Sequence, residues 1–277
     1  ELKAVYYAEQ IRGIKEEMEE DVRMAAELQK SFFPNTYPCF PATAGSDGSC
    51  VGFFHHYHAS GMVSGDFCTV RRLSETESGI FLCDVMGHGV RAALVTALIC
   101  AMVEEITGQA KDPGDFLGRM NDLLIPILRQ EDMFLYATAC YATFDARTGR
   151  LRIANAGHPV PLHFQGSEKT VRWLLDAGST RGPALAITEG AGFQTLEMQL
   201  MPGDSVVMYT DGLYEVEGAS GEEFGEHRLL AAAQRRVGLP LEQLFPVLVN
   251  EACLYAGDGA LDDDVCLVGL HFNKPMA

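Results

Sequence analysis

The stretch that most constrains this chain is Ile80-Phe81-Leu82-Cys83-Asp84-Val85-Met86-Gly87-His88-Gly89. An apolar run of strand length stops on one aspartate, turns through two glycines, and leads into a long apolar-faced helix from Val90. A carboxylate at the end of a buried strand is costly unless something positive meets it there. The glycines that follow let the backbone come close to that partner. Asp84 is therefore a candidate metal ligand, and the rest of the chain should supply further acidic groups at comparable strand ends.

Three such groups exist. Asp66, Asp211 and Asp263, like Asp84, sit where apolar strands start or stop, in segments far apart in sequence. That is how a site is assembled at one end of a sheet. Their oxygens are hard donors suited to Mg²⁺ or Mn²⁺, and no His/Cys set is spaced for zinc. Two such ions can hold a bridging hydroxide and clamp a phosphate ester for in-line attack. Each aspartate alone could be a turn former or helix cap; four together argue for a site.

Residues 1–33 have a different texture. They are charged, contain one glycine and no proline, and repeat in heptads. Ala4, Ile11, Met18, Ala25 and Phe32 fall at one position, and Tyr7, Ile14, Asp21 and Leu28 at the other, with Asp21 alone spoiling the seam. The pattern predicts a coiled coil joining two copies; the alternative is an amphipathic helix lying on its own domain. Pro34, Pro38 and Pro41 end the helix and form a stiff hinge. The expected division is a linker helix over 1–33 and one domain over 34–277.

Within that domain, strands are expected at 51–58, 62–73, 79–84, 135–144, 151–155, 171–175 and 265–272, and helices at 90–107, 115–128, 226–237 and 241–255. Leu94, Ala97, Leu98, Ala101 and Met102 are expected on the buried face of the first helix. Residues 193–200 and 204–210 read as a hairpin around Met201-Pro202-Gly203. Strands in clusters with helices in pairs between them suit stacked antiparallel sheets flanked by helices, an α+β sandwich.

The 277 residues are 47% hydrophobic, ample for one large core. A formal net charge of −17 argues against nucleic acid or an anionic membrane as partner. Eight cysteines with no C-x-x-C spacing, most inside apolar runs, suit a reducing cytoplasm. The longest apolar run, residues 92–103, is too short to span a bilayer. Without a signal peptide or initiating Met, the first residue is expected to be an interior position of a longer protein.

Five segments then occur in order: Val63-Ser64-Gly65-Asp66-Phe67, Cys83-Asp84-Val85-Met86-Gly87-His88-Gly89, Asn155-Ala156-Gly157-His158-Pro159, Tyr209-Thr210-Asp211-Gly212 and Asp263-Asp264-Val265. Together they resemble the bacterial regulatory branch of the PPM (type-2C) metal-dependent serine/threonine phosphatases, which includes the sporulation stage II and stress-response phosphatases of sigma-factor partner switching. Residues 26–34 resemble that branch's linker helix entering the domain, which makes Leu28, Phe32 and Phe33 regulatory candidates. The resemblance implies an αββα sandwich with two ions at one edge. It implies that Asp84 bridges them, helped by the Val85 carbonyl, that Asp66 orients a water or holds the second ion, and that Asp211 and Asp263 hold the first, with Asp264 beside them. Two departures, Cys266 for Thr and Ala186 for Gly, touch no implied ligand.

Lesser candidates are His88, as a proton donor to the leaving oxygen, a phosphate contact or a plain turn residue, and the amides of Gly87–Gly89 as an anion contact. His56 and His58 share a strand face while His55 points away, so no three-ligand metal set forms. His158 reads as structural. The acidic loop 258–264 lacks a calcium-loop pattern. The leading function is removal of phosphate from a phosphoserine or phosphothreonine partner, by resemblance a STAS-type anti-sigma-factor antagonist, under an upstream sensor domain. The alternatives are an inactive scaffold and a hydrolase of small phosphate esters.

Overall fold

The computed structural model describes residues 2–108, 110, 112–130, 133–174, 181–257 and 261–277. A long helix, α1 (Leu2–Lys30), precedes β1 (Val51–His58), β2 (Asp66–Arg72), β3 (Glu77–Val85), α2 (Val90–Thr107) and α3 (Pro113–Leu128). A two-stranded ladder, β4 (Arg129–Gln130) with β5 (Met133–Phe134), leads to β6 (Ala137–Asp145), β7 (Arg150–Ala156), β8 (Leu162–Gln165), β9 (Thr170–Trp173), β10 (Leu196–Gln199) and β11 (Ser205–Tyr209). The chain ends with α4 (Gly225–Gln234), α5 (Leu241–Ala256) and β12 (Val265–Phe272).

The strands form two five-stranded antiparallel sheets, ordered β1-β12-β11-β8-β9 and β10-β7-β6-β3-β2. Between them lie Val70, Ile80, Leu82, Phe144, Val206, Val268 and Phe272. The outer face of the second sheet packs Phe67, Phe81 and Tyr141 against Ile99 and Phe116 of α2 and α3. The outer face of the first packs Val207, Tyr209 and Leu267 against Leu229 and Leu248 of α4 and α5. The result is the expected αββα sandwich. The continuous apolar run in β3 follows from its place. Alternate residues face the other sheet and the helices, so both faces are dry.

The strand expected over 62–73 begins only at Asp66. Ser64 and Gly65 are held out of the ladder by Gln29 and Asp264, described below. The strand expected over 171–175 is β9, and residue 175 lies outside the described residues, as do 258–260 of the acidic loop.

Two expectations are corrected. Residues 193–200 and 204–210 are not a hairpin. β10 pairs with β7, whereas β11 pairs with β12 and β8 in the other sheet. The turn between them is a crossing: Leu200 N donates to Gly149 O on one side, and Gly203 N to Phe272 O on the other. The buried face of α2 is also different. Ala92, Val95, Thr96, Ile99, Val103 and Ile106 face inward with Met102, while Leu94 is 68% exposed.

The linker helix stops at Lys30, three residues before the expected end. Phe33 then enters the inter-sheet core and Phe32 packs against the helix-side core, so both are anchors of the domain. Ile11, Ile14, Met18 and Leu28 are exposed, while Gln29 is buried. From Tyr7 to Leu28 the heptad seam therefore faces away from the domain, and the helix touches the domain through its other side.

The α2 correction is testable by chemical denaturation. Ile99→Ala should cost about 2–5 kcal/mol as a core truncation, whereas Leu94→Ala should stay within about 0.5 kcal/mol. Equal losses would contradict the observed face.

Candidate metal centre

Strand parity builds the site. Along β3, Ile80 and Leu82 face the other sheet, and Asp84 is the next residue on that face; along β2, Cys68 and Val70 place Asp66 there. Asp66 and Asp84 are direct cross-strand partners. In the opposite sheet, Met208 of β11 and Cys266 of β12 put Thr210 and Asp264 on the same inner layer, with Asp211 and Asp263 one residue away. The inter-sheet core thus ends, at one edge, in carboxylates rather than hydrocarbon.

Hydrogen bonds fix this edge. Thr210 Oγ1 donates to Asp66 Oδ2 at 2.7 Å and accepts from Cys266 N at 2.9 Å, which ties the two sheets together. Asp264 accepts from Gly65 N at 3.0 Å through one oxygen, and from Ser60 N and Oγ at 2.8 and 3.0 Å through the other. Its oxygens are thus spent on protein donors, which makes it a brace beside the site. Gly65 must be glycine: an added Cβ would lie 2.6 Å from Val85 O and 3.2 Å from Gly87 O. Gly87 and Gly89 adopt φ 86° and 81°, left-handed values that glycine takes without strain, and they turn the chain from Asp84 into α2.

The electrostatics are those of confined like charges. Burial, then the charge of Asp84, holds Asp66 well above the usual carboxylate range. Burial, then Asp211 and Asp263, pushes Asp84 up to about 7. Burial and Asp263 raise Asp211, and desolvation raises Asp263, which His88 partly offsets. Among the described residues none of the four makes an ion pair with Lys or Arg.

The donor set fits a hard divalent cation: all-oxygen, mutually repelling and without a counter-charge. Among the described residues no group of three or more His, Cys, Asp or Glu side chains forms a ready-made ion cage. The carboxylates face one another across the edge, and backbone oxygen and water would have to complete any coordination shell.

The histidines sort themselves. His88 is exposed and close enough to Asp263 to influence it. His158 is buried; its ring meets Thr138 Oγ1 at 2.8 Å and its backbone N–H donates to Asn155 Oδ1 at 2.8 Å, a structural turn. His55 meets Tyr37 Oη at 2.5 Å and stacks on Phe33, away from the aspartates. Ala186 has φ 68°, which explains why glycine suits that position.

One contact between the helix and the site loop is not foreseen from the sequence. Gln29, the last buried residue of α1, donates Nε2–H to Ser64 O at 2.7 Å and accepts from Ser64 N at 3.0 Å. Ser64 is two residues from Asp66, and Thr96 Oγ1 donates to Gly65 O at 3.0 Å. A cleft of about 490 Å³ between Val22 of α1, Met62 and His88 opens beside this loop. Only the resemblance of residues 26–34 to a linker pointed towards Gln29.

Comparison with known proteins agrees with this architecture. The family model described as Stage II sporulation protein E (SpoIIE) matches residues 74–273, and the chain belongs to that family of PP2C-type phosphatase domains. Phosphoserine phosphatase RsbP of Bacillus subtilis is 30% identical over 161 residues, 58% of this chain and 39% of RsbP. Phosphoserine phosphatase RsbU of the same organism is 22% identical over 267 residues, 94% of this chain and 72% of RsbU. The SiaA-PP2C domain of Pseudomonas aeruginosa superposes with a TM-score of 0.78 at 23% identity, over 94% of this chain and 99% of that one. The chain spans well under half the length of RsbP.

The raised carboxyls make stability pH-dependent in a definite direction. A folded pKa of about 7 for Asp84, against an ordinary 3.8, gives a contribution present below 3.8 and lost as pH rises through about 7. In chelator, Asp84→Asn, which cannot ionise, should stabilise the protein on the order of 3 kcal/mol at pH 8 and by little at pH 4. Urea titrations at the two pH values check this; destabilisation at pH 8 would contradict it.

Proposed function

We propose that this chain is a Mn²⁺- or Mg²⁺-dependent phosphoprotein phosphatase acting on phosphoserine or phosphothreonine, and that Asp66, Asp84, Asp211, Asp263 and the Val85 carbonyl hold two ions. The observation that carries the reading is the convergence of four aspartates from both sheets on one edge, with no Lys or Arg paired to them among the described residues. The names of RsbP and RsbU support the same substrate chemistry. When bound, the ions supply a nucleophile at neutral pH and neutralise the phosphate.

The chain's own groups then have distinct tasks. Asp84 faces both the Asp66 side and the Asp211–Asp263 side, the position from which one carboxylate can serve two ions. Asp66, with one oxygen fixed by Thr210, orients a water or takes its proton. His88, exposed at the rim, would protonate the leaving oxygen or contact phosphate. The amides of Gly87–Gly89, at the start of α2, can receive the anion.

Regulation is part of the proposal: 1–33 is the control segment, 34–277 the phosphatase domain. An upstream sensor would act through a homodimer formed along the exposed seam of α1, and Gln29 would pass the change to Ser64. The seam's exposure and the Gln29 clamp support this. The proposed partner is a phosphorylated STAS-type antagonist in the cytoplasm, consistent with eight unpaired cysteines. Among the described residues no helix is long and apolar enough to cross a membrane.

With Mn²⁺ the protein should release phosphate from a phosphoserine protein or peptide. Asp84→Asn and Asp211→Asn should each lower kcat by more than about 10²-fold, as loss of a transition-state charge contact does. Absence of Mn²⁺-dependent release in the wild type would favour the inactive scaffold. In sedimentation equilibrium the protein should associate with rising concentration, and Ile11→Asp with Ile14→Asp should return it to monomer. A strict monomer in the wild type would remove the dimer from the account.

A further inference from the structure

A cleft of about 930 Å³ lies at the end of the first sheet opposite the aspartates. β11 runs from Ser205 at this cleft to Tyr209 beside Thr210 and Asp211, so the two sites are separated by about 20 Å at strand rise. Its floor is a row of direct cross-strand neighbours on one face: Phe164, Ser205, His271 and Gly52. Gly52 leaves a hollow in that row, since an added Cβ there would meet nothing closer than His271 Cβ at 4.0 Å. Ser205 Oγ and His271 Nδ1 lie 2.8 Å apart. With Ser205 donating, Nε2–H of His271 remains as a donor.

Lys169, Arg235 and Arg236 all border the cleft. Glu251 pairs with both arginines without itself lining the cleft, and Glu242 is the carboxylate in the lining. Lys169 makes no ion pair among the described residues. Its position is built rather than incidental. Gln234 of α4 donates Nε2–H to Lys169 O at 3.0 Å and accepts from Val171 N at 2.7 Å, clamping the β8–β9 turn beside Arg235. Lys169 itself is held at φ 54°, a strained value for a lysine. The start of α5, with Pro240 before it, has no side-chain cap and also borders the cleft.

From this arrangement we propose a second ligand site for a small organic phosphate monoester, its phosphate between Lys169 and Arg235 and its apolar body on the wall that includes Phe54 and Leu241. Three cations against two carboxylates suit one phosphate group rather than a polyanion. The volume exceeds what an inorganic ion fills and matches a small-molecule pocket. The site is independent of the catalytic reading, because none of its residues belongs to the aspartate edge.

The test is calorimetry with phenylphosphonate, whose P–C bond a phosphatase does not hydrolyse, in chelator to silence the metal edge. The wild type should bind it, and more tightly than inorganic phosphate. Lys169→Gly, which removes the charge and relaxes φ, and Arg235→Gln should each weaken binding about tenfold. Asp84→Asn should leave it unchanged. Failure of the wild type to bind, equal affinity in Lys169→Gly, equal affinity for inorganic phosphate, or loss of binding in Asp84→Asn would each overturn the proposal.

Discussion

Mutual repulsion among Asp66, Asp84, Asp211 and Asp263 is the constraint on which the site depends. Hydrocarbon normally fills the layer between two sheets to its edge, yet here the layer closes in acid. Burial and neighbouring charge raise these carboxyls together, to about 7 for Asp84. A fold tolerates that cost when the same geometry is needed to capture positive charge, and hard divalent cations match the donor set. Structure and chemistry share one cause: strand ends from both sheets are brought to one place, and each contributes an oxygen donor.

The neighbouring contacts keep the carboxylates from relaxing away. Thr210 bridges the sheets through Asp66 and Cys266. Asp264 ties the Ser60 and Gly65 backbone to the start of β12. Gly65 allows the loop to press against Val85 and Gly87. Gln29 adds a third tie from outside the sandwich, a direct polar link between α1 and the loop that carries Asp66. A shift of the helix by even part of a turn would break that paired hydrogen bond. The proposed control by the linker would act through that pair.

Much of this was legible in the sequence, and the failures have physical reasons. Apolar runs ending on Asp66, Asp84, Asp211 and Asp263 marked the edge because buried strands cannot stop on acid without cause. β1, α2 and β12 fell at their expected bounds because strong hydrophobic runs are closed there by turns. The buried face of α2 was not legible: its run is apolar nearly all round, so Leu94 and Ile99 look alike until α3 and the sheet choose between them. The false hairpin at 193–210 arose because a Pro-Gly turn joins neighbouring strands and strands of opposite sheets equally well. Apart from lying in the linker-like stretch 26–34, Gln29 carried no signal, being one polar residue beside an apolar seam. Its value comes from Ser64, 35 residues away.

Anomalous diffraction from crystals soaked in Mn²⁺ addresses the central claim most directly. The account predicts two manganese peaks at the sheet edge, with Asp84 contacting both and Asp66, Asp211 and Asp263 around them. Peaks confined to other parts of the surface, or an edge that stays free of manganese at saturating concentration, would contradict it.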